Sequence, residues 1–321
     1  MKHQILTGMV SLFLFIPSTR SQTSLTVAAD GSGEFKSLQA AIMSVPSGSR
    51  TNPVVIHVKP GTYQELIYVQ REKCFFKLLG DNPATTVITY GLYANLTNFD
   101  GKPIGTFHTP TTTIDADDFT AENLTFENSA GPKGQALAIR VDGDRAAFRN
   151  CRFLGWQDTI LLNRGRQYFG SCYIAGHVDF IFGAATAWFE KCHIQCLGDG
   201  YITAASTPAD QPFGFVFSNC TITGDKPQTR TFLGRPWRIH ASTIFLNTEM
   251  SAVIRPAGWN DWKKPETHTT ARYGEFNSTG PGASSAARVS WARQLTETEA
   301  SSITLSRVLG DADGWNPAAG R

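Results

Sequence analysis

Short segments in which polar and apolar residues alternate recur through the middle of the chain. Each segment reads polar, column, polar, apolar, which is the period-two alternation of a β-strand. The column positions hold Leu124, Cys151, Cys172, Cys192, Cys220 and Thr248, with spacings of 27, 21, 20, 28 and 28 residues. Self-similarity at such a period is typical of a solenoid. Helical periodicity is missing between the segments, which argues against βαβ units.

The sequence therefore predicts an all-β, single-domain, right-handed parallel β-helix over residues 22–321. The hand follows from the preferred hand of parallel crossovers. The column residues are expected to stack inside the coil, where cysteine serves mainly as small apolar filler. Adjacent rungs also lie within disulfide reach. Cys172–Cys192 is the preferred pair, Cys151–Cys172 is equally allowed by spacing, and a fully reduced ladder that includes Cys220 stays open.

Segments outside the repeat predict caps for the two ends of the coil. Apolar residues at helical spacing indicate a short N-terminal capping helix from Glu34 to Val45. A cap of this kind covers core and sheet edge at the end of a solenoid. Early strands are expected at Val54–Val58 and Phe75–Leu79. A helical tail is expected from Thr296 to Leu309, with a capping box between Thr296 and Glu299.

The N-terminus and the charge balance restrict where the protein works and what it binds. Residues 1–21 combine a basic start, a short apolar run and small residues near the end, which indicates a signal peptide and a secreted protein, extracellular or periplasmic. Without Lys2 and Arg20, 27 basic and 27 acidic residues remain. No polybasic run occurs, so nucleic acid and anionic membrane are poor candidate partners. We expect a monomer acting on a neutral or partly acidic polymer.

Two short strings supply the candidate chemistry, Gln157-Asp158-Thr159 and Asp179-Phe180-Ile181-Phe182-Gly183. Their aspartates lie 21 residues apart, as do Cys151 and Cys172 just upstream. If one coil holds 21 residues here, Asp158 and Asp179 lie on adjacent rungs, about 4.8 Å apart along the ladder. Close carboxylates form an unequal couple, in which one stays ionised and the other keeps its proton.

Other polar residues complete a site for ester or glycoside hydrolysis. Such a site needs a nucleophile or base, an acid for the leaving group, and donors for developing negative charge. The aspartates can supply the first two, and the amides of Gln135 and Gln157 can supply the donors. Arg235 beside an aspartate would keep that carboxylate ionised, and Trp237 offers a flat face for a sugar ring. No metal-binding motif or phosphate loop occurs, so no metal and no cofactor are expected.

Ordered motifs across nearly the whole chain resemble those of the pectin methylesterase (pectinesterase) family. They are Gly61-Thr62-Tyr63-Gln64-Glu65, Gln135-Ala136-Leu137-Ala138-Ile139, the two aspartate strings, Leu233-Gly234-Arg235-Pro236-Trp237, Gly258-Trp259-Asn260-Asp261-Trp262, Gly280-Pro281-Gly282-Ala283, Arg288-Val289-Ser290-Trp291 and Leu295-Thr296. The resemblance implies a secreted enzyme that removes methyl esters from homogalacturonan, giving pectate and methanol. Pectin is then the implied partner.

The resemblance also implies a role for each site residue. Asp179 would attack the ester carbonyl, and Asp158 would protonate methanol and then activate water. Gln135 and Gln157 would stabilise the oxyanion. Substrate contacts would come from Thr106, Gln135, Arg235 and Trp237, with Arg235 also orienting Asp179.

The sequence departs from the family pattern at two places. Ile160 and Leu161 replace a common Leu-Tyr pair, and Ala184-Ala185 replaces Asn-Ala. Three other interpretations remain: a related β-helix esterase or thioesterase, a pectate lyase or polygalacturonase, and a non-catalytic polysaccharide-binding solenoid. A lyase would need a calcium-binding carboxylate cluster, and a binder has no use for both aspartates.

Overall fold

The computed structural model describes residues 23–319, and the predicted signal peptide lies outside them. The strands within this range are β1 (Ser24–Val27), β2 (Val54–Val58), β3 (Gly61–Gln64), β4 (Ile67–Val69), β5 (Phe76–Gly80), β6 (Thr86–Tyr90), β7 (Thr112–Ile114), β8 (Thr120–Glu122), β9 (Thr125–Asn128), β10 (Ile139–Val141), β11 (Ala146–Arg149), β12 (Arg152–Leu154), β13 (Ile160–Leu162), β14 (Arg166–Gly170), β15 (Tyr173–Gly183), β16 (Thr186–Glu190), β17 (His193–Ala205), β18 (Phe215–Ser218), β19 (Thr221–Gly224), β20 (Thr231–Gly234), β21 (Ser242–Leu246), β22 (Glu249–Met250), β23 (Arg272–Phe276) and β24 (Arg293–Gln294).

These strands form a right-handed parallel β-helix, as predicted. One sheet has the order β1-β2-β5-β8-β11-β14-β16-β18-β21-β23-β24, and every neighbouring pair is parallel. The second sheet runs β3-β6-β9-β12-β15-β13-β10-β7-β4, with β17, β19, β20 and β22 added through β15. Strands β15 and β17 are long because each continues from one face of the coil to the next. The first part of β15 pairs with β12, and its last part pairs with β13.

The predicted column residues are buried at the start of successive rungs. Cys151, Cys172, Cys192 and Cys220 are each at most 2% exposed. The residue before each column position has a left-handed backbone, from Asn123 with φ +59° onward. Asparagine tolerates this conformation better than most residues, which explains why it recurs there. All six cysteines of the chain are free thiols, so neither proposed disulfide is present.

An aromatic ladder fills the centre of the coil. The rings of Phe148, Phe169, Phe189, Phe217 and Phe245 occupy one register position, with successive centroids 4.4–4.9 Å apart and nearly parallel planes. All five side chains are fully buried. Burying a large apolar side chain stabilises a fold by roughly 1.5–3 kcal/mol, so this ladder is a main source of stability.

The N-terminal cap is a helix, α1 (Leu38–Ser44), shorter than the predicted Glu34–Val45. Glu34 and Phe35 instead bond to Thr26 of β1, so the helix begins only at its N-cap, Ser37. The carboxylate of Glu65 accepts hydrogen bonds from the Ser37 hydroxyl and from the first backbone N–H groups of α1. The second predicted strand also shifts by one residue, because Phe75 has φ +59° and cannot continue it.

The C-terminal tail forms two short helices, α2 (Glu297–Ser301) and α3 (Leu305–Leu309), rather than one. The predicted capping box between Thr296 and Glu299 is present. Thr304 caps the second helix separately, because its side chain accepts from the Arg307 N–H. The tail packs on the outer face of the first sheet, with Val308 and Leu309 buried beside Tyr168 and Trp188. Single turns of 3-10 helix occur at Thr106–His108, Pro265–His268, Ser285–Ala287 and Pro317–Ala319.

Candidate active site

The two aspartates of the sequence motifs lie at equivalent positions on consecutive rungs. Ile160 of β13 pairs with Ile181 of β15, which aligns Asp158 with Asp179 two residues upstream. Both aspartates have left-handed backbones, with φ +64° and +51°. Their neighbours Ile160 and Ile181 point into the core, while the aspartates line a cleft outside the second sheet. The spacing prediction is therefore correct about their adjacency.

Arg235 holds Asp179 by two parallel hydrogen bonds. Its Nε donates to Oδ1 at 2.8 Å and its Nη2 donates to Oδ2 at 2.6 Å. The Asp179 side chain is only 8% exposed. Burial raises the pKa of Asp179, and the guanidinium opposes that rise. A bidentate pair of this kind fixes the carboxylate geometrically as well as favouring its ionised form.

Two aromatic rings hold the guanidinium of Arg235 between them. Its Cζ lies 3.9 Å from the ring centroid of Tyr201 and 3.7 Å from that of Trp262. Each contact is a cation–π interaction, and together they restrict the guanidinium to a plane. The backbone also fixes Arg235, because its N–H donates to the carbonyl of Thr203. The position of Asp179 is thus set through Arg235 by three separate elements.

Asp158 has no such cationic partner among the described residues. Burial and the nearby Asp179 carboxylate raise its pKa well above the ordinary value, and Arg235 opposes this only through space. Asp179, by contrast, has the Arg235 guanidinium hydrogen-bonded to it, which opposes the rise of its pKa. Asp158 therefore keeps its proton to higher pH than Asp179, which is the unequal couple expected for paired carboxylates.

Gln135 and Gln157 lie side by side at the rim of this couple. They form a parallel bridge, in which the Ala136 N–H donates to the Gln157 carbonyl at 3.1 Å. The backbone carbonyl of Gln135 accepts a hydrogen bond from the Ala94 N–H, which fixes the backbone of Gln135 as well. Both side chains line the cleft. No described residue hydrogen-bonds to either side-chain amide, so their N–H groups are free to meet a ligand.

The cleft around these groups has a volume of about 420 Å³. It brings together every site residue expected from the sequence, including Thr106 and Trp237. Its floor is apolar, because Phe182 and Ala204 belong to a cluster with Leu137 and Leu161. The complete lining is Thr106, Phe107, Gln135, Gln157, Asp158, Asp179, Phe182, Ala204, Arg235, Trp237 and Trp262.

Sequence reasoning found Trp237 but assigned no role to three other aromatic residues at the site. Tyr201 gave no signal, while Trp262 stood within a recognised motif without an assigned role. Phe182 belongs to an aspartate string, where nothing marks it as part of the cleft. Leu161, which replaces a tyrosine common in the family, is fully buried in the apolar floor. The carbonyl of Ala184, at the second departure, accepts from the side chain of Gln211 at 3.0 Å.

Over residues 23–319, no group of three or more His, Cys, Asp or Glu side chains is arranged to hold a metal ion. Over that same stretch, no helix has the length and apolar character needed to cross a membrane.

The profile of the family described as Pectinesterase matches residues 24–312. Pectinesterase 31 of Arabidopsis thaliana is 45% identical over 280 residues, covering 85% of this chain and 88% of that protein. The structure of pectin methylesterase from carrot has a TM-score of 0.84 at 34% identity, covering 91% of this chain and 95% of that one.

A further solved structure, a pectin methylesterase in complex with a hexasaccharide, has a TM-score of 0.80 at 32% identity. It covers 92% of this chain and 99% of that one. The protein is therefore a carboxylic ester hydrolase built on a parallel β-helix. Within that class, the chain belongs to the pectinesterase family.

Proposed function

We propose that the protein is a secreted pectin methylesterase that acts through Asp179 and Asp158. It converts methyl-esterified galacturonate residues of pectin to free carboxylates and releases methanol. The observation that carries the proposal is the bidentate Arg235–Asp179 pair beside Asp158, whose pKa is raised well above the usual value. One buried carboxylate is thereby poised to attack while its neighbour holds a proton.

In the first half of the reaction, Asp179 is the nucleophile. A carboxylate oxygen of Asp179 attacks the ester carbonyl carbon, and the carbonyl oxygen becomes an oxyanion. The free amide N–H groups of Gln135 and Gln157 stabilise that charge, a contribution typically worth about 3–4 kcal/mol for each donor. The C–O bond to the methoxy group then breaks, and Asp158 gives its proton to the departing oxygen. Methanol leaves, and an acyl group stays on Asp179.

In the second half, Asp158 changes from acid to base. Its carboxylate takes a proton from water, whose oxygen attacks the acyl carbon and forms a second oxyanion. Breaking the bond to Asp179 yields the galacturonate carboxyl group and restores the nucleophile. The proton taken from water returns Asp158 to its starting state, so the cycle balances.

The shape of the cleft supports a methylated sugar as substrate. The apolar floor that Phe182 and Ala204 form suits a methyl ester better than a charged carboxylate. Trp237 lies 5.7 Å from Phe182 between ring centroids and offers a face for a sugar ring. Thr106 also lines the cleft and supplies a hydroxyl for sugar hydroxyl groups. A solved relative with a bound hexasaccharide supports a cleft of this kind.

The proposed setting is outside the cytoplasm, as a monomer. It depends on residues 1–21 acting as a signal peptide, and these lie outside the described residues. Pectin is a polymer too large to enter a cell, so export brings the enzyme to its substrate.

The decisive experiment measures methanol released from highly methylated pectin by wild type and by Asp179→Asn. Wild type is expected to release methanol, and the variant is expected to release none while keeping its circular dichroism spectrum. Full activity of the variant would overturn the mechanism. Wild type that releases no methanol but hydrolyses an acyl thioester, or forms unsaturated products, would overturn the proposed activity.

A further inference from the structure

A second cavity of about 420 Å³ lies on the outer face of the first sheet, away from the cleft. We call it the rear groove. Its floor is the start of that sheet, at β5, β8 and β11, and one wall is the end of the C-terminal tail. It shares no lining residue with the cleft. The lining is Arg50, Pro53, Phe75, Phe76, Lys77, Asp118, Thr120, Arg145, Ala147, Arg149, Gly314, Trp315, Asn316 and Pro317.

Basic side chains outnumber carboxylates in the lining of the rear groove, with Arg50, Lys77, Arg145 and Arg149 against Asp118. Lys77 and Arg149 share a single carboxylate, that of Glu122, at 2.9 and 3.4 Å. Arg50 is exposed, and no described residue forms a hydrogen bond or ion pair with its side chain. Between them these three cations have one carboxylate partner, Glu122, and Arg149 also donates to the Pro317 carbonyl. The Lys77 side chain is 32% exposed and that of Arg149 is 25% exposed, so both remain within reach of a ligand.

The remaining basic residue of the lining, Arg145, is electrically satisfied. Arg145 contacts the carboxylates of Asp118, Asp144 and Asp313 at 2.7–3.3 Å. Arg166 binds the last two of these as well. These pairs attach the tail to the sheet and make that wall firm. Arg50 is therefore the one basic side chain of the lining without a carboxylate partner among the described residues.

Flat apolar surfaces complete the rear groove. Trp315 is half-buried in the tail wall, with the Arg166 guanidinium 5.7 Å from its ring centroid, and its indole N–H has no hydrogen-bond partner among the described residues. Phe75 and Pro53 also line the groove. Aromatic faces beside free donors suit sugar rings, and a volume of this size is typical of ligand sites. The combination fits a sugar that carries a carboxylate.

We propose that the rear groove binds de-esterified galacturonan, the anionic product of the cleft. The choice of ligand rests on the proposed function, because only that reaction converts a neutral polymer into a polycarboxylate. Arg50, Lys77 and Arg149 bind uronate carboxylates, and Trp315 stacks on a ring. Binding there raises the local concentration of pectin and retains the enzyme on stretches already demethylated.

The test uses trigalacturonate, which has no ester and is not consumed. Hydrogen exchange read by mass spectrometry is expected to slow in peptides containing Arg50 and in those covering Gly314–Pro317. The Arg50→Gln/Lys77→Gln variant is expected to bind there about tenfold more weakly, since two charge-assisted contacts are lost. The control Lys59→Gln/Lys226→Gln makes the same charge change at exposed lysines outside the groove and keeps wild-type affinity.

Several results would overturn the proposal. They are protection confined to cleft peptides, unchanged affinity in the groove variant, and equal protection by neutral galactotriose or by a tetraglutamate peptide. The single variant Arg50→Gln is measured as well. Arg50 has no side-chain partner among the described residues, so its replacement should leave the fold intact. Methanol release is assayed separately, so failure of the esterase proposal is distinguishable from failure of binding at the rear groove.

Discussion

Arg235 and Asp179 are joined by two parallel hydrogen bonds although 56 residues separate them in the chain. The pair forms because β17 lies between β15 and β20 in the sheet, and Arg235 follows β20 directly. The guanidinium opposes the rise in pKa that burial imposes on Asp179. It is therefore the main group that keeps the proposed nucleophile ionised.

Replacing Arg235 should move the acidic limb of the pH–activity profile. In Arg235→Gln the opposing cation is gone, so the pKa of Asp179 rises further and activity is lost at a higher pH on acidification. Arg235→Lys keeps a positive charge but lacks the two parallel N–H donors of the guanidinium. It should therefore shift the acidic limb of the profile less than Arg235→Gln does. The profile of kcat/KM, measured by methanol release, reports the free enzyme. An acidic limb unchanged in both variants would contradict this role.

Removing either glutamine amide should slow chemistry without loosening the fold. Gln135→Ala and Gln157→Ala are each expected to lower kcat by about 10²–10³-fold, because a donor to the oxyanion is lost. Their backbone bridge stays, so the melting temperature should match wild type. Gln64→Ala, at an exposed position on β3, is the matched control and should keep full activity.

The ring of Tyr201 should matter more than its hydroxyl. Tyr201→Phe preserves the face against Arg235 and should leave kcat/KM near wild type. Tyr201→Leu removes one cation–π contact, worth about 1 kcal/mol, and should lower kcat/KM about fivefold. If the two variants behave alike, the contact does not position Arg235.

A buried ion pair near the C-terminal end of the coil should contribute strongly to stability. Glu275 and Arg288 are each 3% exposed, and the Trp259 indole also donates to Glu275. Glu275→Gln leaves the guanidinium without its counter-charge and should cost about 3–5 kcal/mol of unfolding free energy. Urea unfolding measures this loss. Glu72→Gln, at an exposed residue, should change it by less than about 0.5 kcal/mol.

Thiol counting checks the cysteine ladder. In the folded protein, Cys74 is the one partly exposed cysteine of the six and should react alone with a disulfide reagent. In concentrated guanidinium all six should react. A Cys172–Cys192 bond would remove two thiols from the denatured count and would contradict the reduced ladder.

The repeat made the coil and the aspartate pair predictable, because each depends on spacing along the chain. Asp158 and Asp179 lie 21 residues apart, and one rung there has that same length. The capping box at Thr296 could also be predicted, because it depends only on residues close together in the sequence. Residues that act through local or periodic rules can be located without coordinates.

Contacts made by irregular segments could not be predicted in the same way. Trp262 reaches Arg235 on a loop outside the repeat, and Tyr201 does so where the pairing of β15 with β17 shifts register. The tail forms two helices instead of the single predicted one, because Thr304 caps the N-terminus of a second helix. Nothing in the sequence indicates the rear groove either, because its wall comes from residues 314–317 and its floor from β5, β8 and β11.

The tail crosses several rungs instead of extending the coil. Side chains from Ala147 in β11 to Leu246 in β21 share one apolar cluster with α2 and α3. Rungs in a simple solenoid touch only their neighbours and can peel away singly. Here the C-terminal tail links distant rungs along the coil. Truncation before Leu305 should therefore turn one cooperative melting transition into a gradual one.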